Sequence, residues 1–262
     1  ILFINNSLLM ESEKDIYKRD GFIVLRDFFN ESQTKEILNI ANYLFDIPEE
    51  RDSYMKYYET VDNKRTLSRI EKFYDFEPRV MWFINTLIKK KVIELEGEFM
   101  TLFKDKLNWK LPGGGEFKPH QDFEAYDDFP PQYYTTVAVF ADECTIENGC
   151  LEMVRGADKE GVLKNTNGCI NDDIVDNLKW EPVLVKPGDM VVFNALVPHR
   201  SGKNVSNSSR RVFYFTFNKL SEGIHYYDYF DKKREMMPPD IDRDPNKTYN
   251  TVNKYNLANP ID

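Results

Sequence analysis

Apolar residues recur with two different periods along the chain, and the change falls near residue 106. Before it the spacing is mostly helical. Asn30 and Gln33 have the separation of a helix N-cap and its N3 partner, and Ile37, Leu38, Ala41, Leu44 and Phe45 then recur at helical intervals. Residues 21–25 (GFIVL) predict a short strand. Residues 48–75 are charged and Tyr-rich with weak periodicity, which predicts a long loop with short elements. Pro78 fits the first turn of a helix whose apolar spacing continues to about Phe103, with a break near residues 89–91.

Beyond Lys106 the runs are short, β-branched and aromatic, and bounded by turn residues: 107–111, 134–141, 150–154, 182–186, 190–194 and 210–218. Pro187-Gly188-Asp189 predicts a tight turn, because Pro presets the first turn dihedral and Gly accepts positive φ. Helices first and strands later predict an α+β fold, a β-sandwich or barrel backed by N-terminal helices. No linker or internal repeat divides the chain. The expectation is one domain spanning 1–262, with a helical part over about 1–105, a β core over about 106–220 and a charged, Pro-containing surface wrap over about 221–262.

Composition narrows the function classes. Hydrophobic residues at 41% and aromatics at 14% predict an ordered globular protein. A formal charge of −9 argues against nonspecific nucleic-acid binding, which clustered Lys and Arg carry. Cys144, Cys150 and Cys169 are odd in number and form no Cys-x-x-Cys pair, so a disulfide framework and structural zinc are poorly supported and a reducing cytoplasm is expected. No run of 18 apolar residues predicts a membrane helix. Residues 1–10 are apolar but lack a basic segment and a small-residue cleavage site, so they are not read as a signal peptide.

The candidate chemistry lies in two of the three histidines. His120 and Asp122 form an H-x-D pair, and His199 follows 77 residues after Asp122 in Val197-Pro198-His199-Arg200-Ser201-Gly202. Two imidazoles and one carboxylate are the facial set that binds iron(II) and leaves positions open for a chelating co-substrate and dioxygen. Residues two apart on an extended strand share a side, so His120 and Asp122 can converge on one ion, with His199 arriving from another strand. His225 is the spare histidine, read as structural. Arg210, eleven residues after His199, is a guanidinium suited to gripping a carboxylate by paired hydrogen bonds. Arg210 and Arg211 face opposite ways on a strand, and spacing alone leaves open which one points inward. Ser201, Thr135 or Thr136, and Lys110 are further donors on strands expected to line the interior. Arg200 and Lys203 add positive charge beside His199 in an acidic chain and are expected to attract anionic substrates.

The chain resembles the phytanoyl-CoA dioxygenase family of iron(II)/2-oxoglutarate oxygenases. The likeness runs from Asp20-Gly21-Phe22-Ile23-Val24-Leu25-Arg26 to Arg210 and includes Asn148-Gly149-Cys150-Leu151, although Gly156-Ala157-Asp158 departs from the family's Gly-Ser-His. Leu111-Pro112-Gly113-Gly114-Gly115, Lys118-Pro119-His120-Gln121-Asp122 and the segment from Lys233-Arg234 to Pro238-Pro239-Asp240-Ile241 look like the microbial 2-aminoethylphosphonate dioxygenase-like branch. The resemblance implies a double-stranded β-helix (jelly-roll) core. It implies iron(II) on His120, Asp122 and His199, 2-oxoglutarate as co-substrate on Arg210, dioxygen as oxidant, and ascorbate as an assisting reductant. The expected reaction is hydroxylation of a small molecule, first a phosphonate such as 2-aminoethylphosphonate, with Arg200, Lys203 or Arg211 on the phosphonate and Glu124, Asp127 or Asp128 on an amine. Two alternatives stand beside it: hydroxylation of a lipid, acyl, betaine-like or natural-product substrate, and a jelly-roll sensor that binds metal without turnover.

Overall fold

The computed structural model describes residues 11–249 and 254–256; the first ten residues, to which the sequence assigns no function, lie outside this range. Helix α1 (Glu13–Asp20) is capped by Ser12, whose hydroxyl accepts the Asp15 N–H, and leads into strand β1 (Phe22–Leu25). Helix α2 (Glu31–Asp46) starts where the sequence places it: Asn30 and Gln33 exchange side-chain-to-backbone hydrogen bonds of 3.0 Å in a capping box. Pro78 opens α3 (Pro78–Phe83), a π-turn follows at Ile84–Ile88, and α4 (Lys89–Glu96) completes the segment. The expected break therefore lies just before residues 89–91. The helix also stops earlier than Phe103, because Gly97 (φ 80°) terminates it and the apolar run from Met100 pairs as strand.

The stretch at 48–75 corrects the loop expectation. Strands β2 (Met55–Val61) and β3 (Lys64–Glu71) form a hairpin closed by Asp62 and Asn63, both at positive φ, as a two-residue hairpin turn of mirror type requires. Every residue of β3 from Leu67 to Glu71 is buried, including Ser68, Arg69 and Glu71, so polar side chains occupy the interior and mask the alternation.

Ten further strands follow: β4 (Met100–Lys110), β5 (Phe117–His120), β6 (Tyr134–Phe140), β7 (Leu151–Val154), β8 (Asn165–Thr166), β9 (Cys169–Ile170), β10 (Trp180–Val183), β11 (Met190–Asn194), β12 (His199–Ser201) and β13 (Arg210–Lys219). A single-turn helix, α5 (Asp172–Val175), precedes β10. The strands build two antiparallel sheets, in the orders β1-β11-β6-β13-β4-β3-β2 and β10-β7-β12-β5-β9-β8. Together they form the jelly roll, backed by helices on the outer face of the larger sheet. There Ile37 and Ile40 of α2, with Val80 and Phe83 of α3, pack against Val139, Phe213 and Phe215.

The opposite, inward face of that sheet is unusually polar. Register places Arg69 across from Asn108, Glu71 across from Lys106, Arg210 across from Lys110, and Thr216 between Lys104 and Thr136. Helix α6 (Tyr226–Met236) corrects the expectation of a mere surface wrap. It buries Tyr226, Tyr229, Phe230 and Lys233 at helical spacing. Tyr229 meets Phe103 at 4.9 Å, and the Tyr226 hydroxyl donates to Asp105 at 2.8 Å. No described helix is long and apolar enough to cross a membrane.

Candidate metal centre

His120 ends β5 and His199 opens β12, and these two residues are directly paired across the small sheet. Their rings lie 4.2 Å apart between centroids. After His120, Gln121 stays extended (φ −116°, ψ 131°), so the alternation of a strand carries Asp122 back to the histidine side just as the chain enters a 3-10 turn, Asp122–Ala125. Gln121 fastens that exit. Its amide donates to Leu196 O at 2.6 Å and Gly161 O at 2.9 Å, and its carbonyl oxygen accepts the Leu163 N–H at 2.8 Å.

The Nε2 atoms of His120 and His199 each lie 3.9 Å from Asp122 Oδ1, and the donor atoms of all three residues fall within 4.8 Å of one another. In each imidazole Nδ1 faces a backbone carbonyl: Lys118 O at 2.7 Å for His120 and Val197 O at 3.0 Å for His199. A proton on Nδ1 satisfies that contact and leaves the Nε2 lone pair toward the centre. Thr136 Oγ1 donates to Asp122 Oδ2 at 3.3 Å and leaves Oδ1 for the same point. All three ligand candidates are buried. Burial, reinforced by His199, pushes His120 down to about 3, and burial likewise lowers His199. Burial opposes the Asp122 charge, but His199, Lys106 and Lys104 outweigh it and hold the carboxyl below its usual range. Two imidazoles and a carboxylate, without a thiolate among them, fit iron(II).

Two cavities meet at the triad. The first is lined by both sheets, including Asn108, His199, Ser201, Arg210 and Tyr214. Arg210 is 1% exposed, and its Nε and Nη1 have no hydrogen-bond partner, which marks it as a buried cation lacking an anion. Ser201 lines the same cavity, oriented by Lys110, whose Nζ donates to Ser201 Oγ at 2.7 Å and also to Gly202 O. Burial, with Arg210 nearby, pushes Lys110 down to about 6. Gly149 shapes this corner. It has φ +74°, and a Cβ there would stand 2.3 Å from Gly202 O, so only glycine lets the Asn148-Gly149 turn close on the loop after Ser201. The second cavity shares Lys106, Phe117, His120 and Asp122 with the first and adds Arg69, Glu71, Lys104, Tyr229, Lys233 and Tyr255.

Other expected site residues are placed elsewhere. Thr135 lies on the far face of β6, bonded to Glu96 and 3.2 Å from the Tyr17 hydroxyl; Thr136 is the threonine that faces the triad. Arg211 points outward to Asp142, with two guanidinium contacts of 2.7 Å, because its neighbour Arg210 takes the inward side of β13. Arg200 lines the first cavity, but its guanidinium pairs with Glu152 at 2.9 Å and stacks on Trp180. Lys203 is exposed, and Glu124 lines neither cavity. Asp127 and Asp128 are exposed on the loop after the turn, and Asp128 meets Lys232. His225 bonds Glu222 O and Asp228 at the start of α6, away from the triad.

Sequence reasoning missed Gln121 and the cations Arg69, Lys104, Lys106 and Lys233. One signal was available: Lys104, Lys106, Asn108 and Lys110 recur at a period of two, a polar strand face that would be read as solvated.

The match to known proteins covers the same ground. The phytanoyl-CoA dioxygenase (PhyH) family model matches residues 17–212. The chain is 38% identical to 2-aminoethylphosphonate dioxygenase of an uncultured bacterium (HF130_AEPn_1), over 97% of this chain and 99% of that one. It is 31% identical to methylphosphonate hydroxylase of Gimesia maris, over 90% of this chain and 91% of that one. Its fold is that of the epimerase SnoN, solved in complex with Fe3+, alpha ketoglutarate and nogalamycin RO, with a TM-score of 0.69 and 17% identity over 90% of this chain and 92% of that one. The chain accordingly belongs to the phytanoyl-CoA dioxygenase family and is a dioxygenase that depends on iron(II) and 2-oxoglutarate.

Proposed function

We propose that the chain hydroxylates a small phosphonate, 2-aminoethylphosphonate or a related compound, at the carbon next to phosphorus. His120, Asp122 and His199 hold the iron, and Arg210 with Ser201 grips the distal carboxylate of 2-oxoglutarate. The observation that carries the reading is the joining of three convergent ligand atoms to a buried arginine with unpaired guanidinium nitrogens through one cavity. The two phosphonate-acting relatives support the choice of substrate.

When bound, iron(II) and 2-oxoglutarate couple dioxygen reduction to decarboxylation, giving succinate, carbon dioxide and a hydroxylated substrate. The protein's own work is positional. The Lys118 and Val197 carbonyls fix both imidazole tautomers, and Thr136 fixes the carboxylate. Lys110 holds Ser201 beside Arg210. The second cavity, which also reaches His120 and Asp122, is the space assigned to substrate.

Succinate release tests the proposal, measured with iron(II), 2-oxoglutarate and ascorbate against 2-aminoethylphosphonate, methylphosphonate and a panel of non-phosphonates. Phosphonate-stimulated succinate, lost in Asp122→Ala, is the expected result. Stimulation by non-phosphonates alone would support another small-molecule hydroxylase, and no succinate with any substrate would support a metal-binding sensor.

A further inference from the structure

The second cavity is lined by more basic side chains than carboxylates. Four cations line it, Arg69 from β3, Lys104 and Lys106 from β4 and Lys233 from α6, against the carboxylates Glu71 and Asp122. Asp122 belongs to the metal triad. Glu71 is already engaged: Lys233 donates to it, and Arg69 Nε lies 2.8 Å from its Oε1. Lys233 and Lys104 outweigh, together with Arg69, the burial that would protonate Glu71, and its pKa is held at about 2.

What remains is a set of basic side-chain nitrogens that no carboxylate meets among the described residues. Arg69 is 2% exposed, and its Nη2 has no hydrogen-bond partner. Lys104 is buried and donates to the Tyr126 hydroxyl at 2.7 Å, with no carboxylate contact among the described residues. Lys106 has no hydrogen bond or ion pair among the described residues; its ammonium sits 5.0 Å from the Tyr214 ring centroid. Burying cations is costly unless an anion meets them. These three come from neighbouring strands of one sheet face, with Glu71 of β3 directly opposite Lys106 of β4.

We infer that Arg69, Lys104 and Lys106 form the subsite for the tetrahedral, dianionic head of the substrate, with Lys233 and Glu71 holding Arg69 in place. The inference rests on the phosphonate reading above and assigns its specificity to these residues instead of Arg200, Lys203 or Arg211. A dianion with three oxygens takes hydrogen bonds from three directions, whereas a carboxylate spans fewer. Lys106 lines both cavities beside His120 and Asp122. A phosphonate held there presents the adjoining carbon to the metal, which accounts for hydroxylation next to phosphorus. Recognition by the head alone also accommodates substrates with and without an amine.

Calorimetry under argon tests the subsite, using protein loaded with iron(II) and 2-oxoglutarate and titrated with methylphosphonate, 2-aminoethylphosphonate, inorganic phosphate and β-alanine, the carboxylate counterpart of 2-aminoethylphosphonate. The wild type should bind both phosphonates, bind β-alanine at least about tenfold more weakly, and lose methylphosphonate when phosphate is added. Lys106→Met and Lys104→Met should each weaken phosphonate binding at least about tenfold, with Lys106→Arg recovering most of it. Phosphonate affinity unchanged in both methionine variants, or β-alanine bound as tightly as 2-aminoethylphosphonate, overturns the subsite. Because the β-alanine comparison uses wild-type protein, poor folding of a variant does not blunt the test. Hydroxylated product with unchanged affinity in the variants removes the subsite and spares the proposed function. Charge-dependent phosphonate binding without product removes the proposed function and spares the subsite.

Discussion

Arg210 shows how a single residue reports a missing partner. A guanidinium 1% exposed with two nitrogens lacking acceptors carries a desolvation cost that an arriving anion offsets, and the cavity around it is also lined by the metal ligands. Arg210→Gln should raise the KM for 2-oxoglutarate at least about tenfold while the KM for substrate moves little, a split read directly from initial rates. An unchanged 2-oxoglutarate KM would remove Arg210 from the co-substrate site. At this scale the sequence was legible where the chemistry is rare. Three histidines, one H-x-D and one well-spaced arginine leave few alternatives, and the geometry brings His120, Asp122 and His199 together. It was illegible for the basic lining of the second cavity, because lysines and arginines usually face water and only tertiary contacts reveal that Arg69, Lys104 and Lys233 are buried. The same ambiguity hid the choice between Thr135 and Thr136, which strand alternation fixes but which spacing alone does not assign to a face.

Among the elements, those with local signals were legible and those defined by tertiary burial were not. The Asn30–Gln33 capping box and the turn before β11 are written in a few adjacent residues. That turn is stabilised by Asp189, whose buried carboxylate accepts the Asp27 and Lys186 N–H groups at 2.9 and 3.1 Å and the Arg26 guanidinium at 2.8 Å. Burial alone would raise its pKa, but these donors outweigh it and lower it. A depressed folded pKa means stabilisation present above the unfolded value and lost as pH falls through the folded one. Asp189→Asn should therefore cost about 1–2 kcal/mol at neutral pH, and its melting temperature should approach the wild type's as pH falls below the ordinary carboxylate value of about 4. An equal gap at both pH values would contradict the assignment. The β2–β3 hairpin and α6 escaped sequence reading for one shared reason. Each directs charged side chains, Arg69 and Glu71 in one and Lys233 in the other, into the interior, where they interrupt the apolar pattern that marks a buried face.

Across the molecule, the larger sheet separates two kinds of interior. Its outer face is apolar and carries the N-terminal helices; its inner face is polar and, with the small sheet, encloses both cavities. A chain of formal charge −9 thus keeps Arg69, Lys104, Lys106 and Lys233 along a cavity beside the metal ligands. That inversion of the usual arrangement is the large-scale reason to expect a small anionic substrate. The most direct test is turnover of 2-aminoethylphosphonate under 18O2, with mass analysis of both products. The account predicts one labelled oxygen in succinate and one in a hydroxyl on the carbon next to phosphorus, in equal yield. Labelled succinate beside unmodified phosphonate, or a hydroxylated phosphonate formed without succinate, would contradict it.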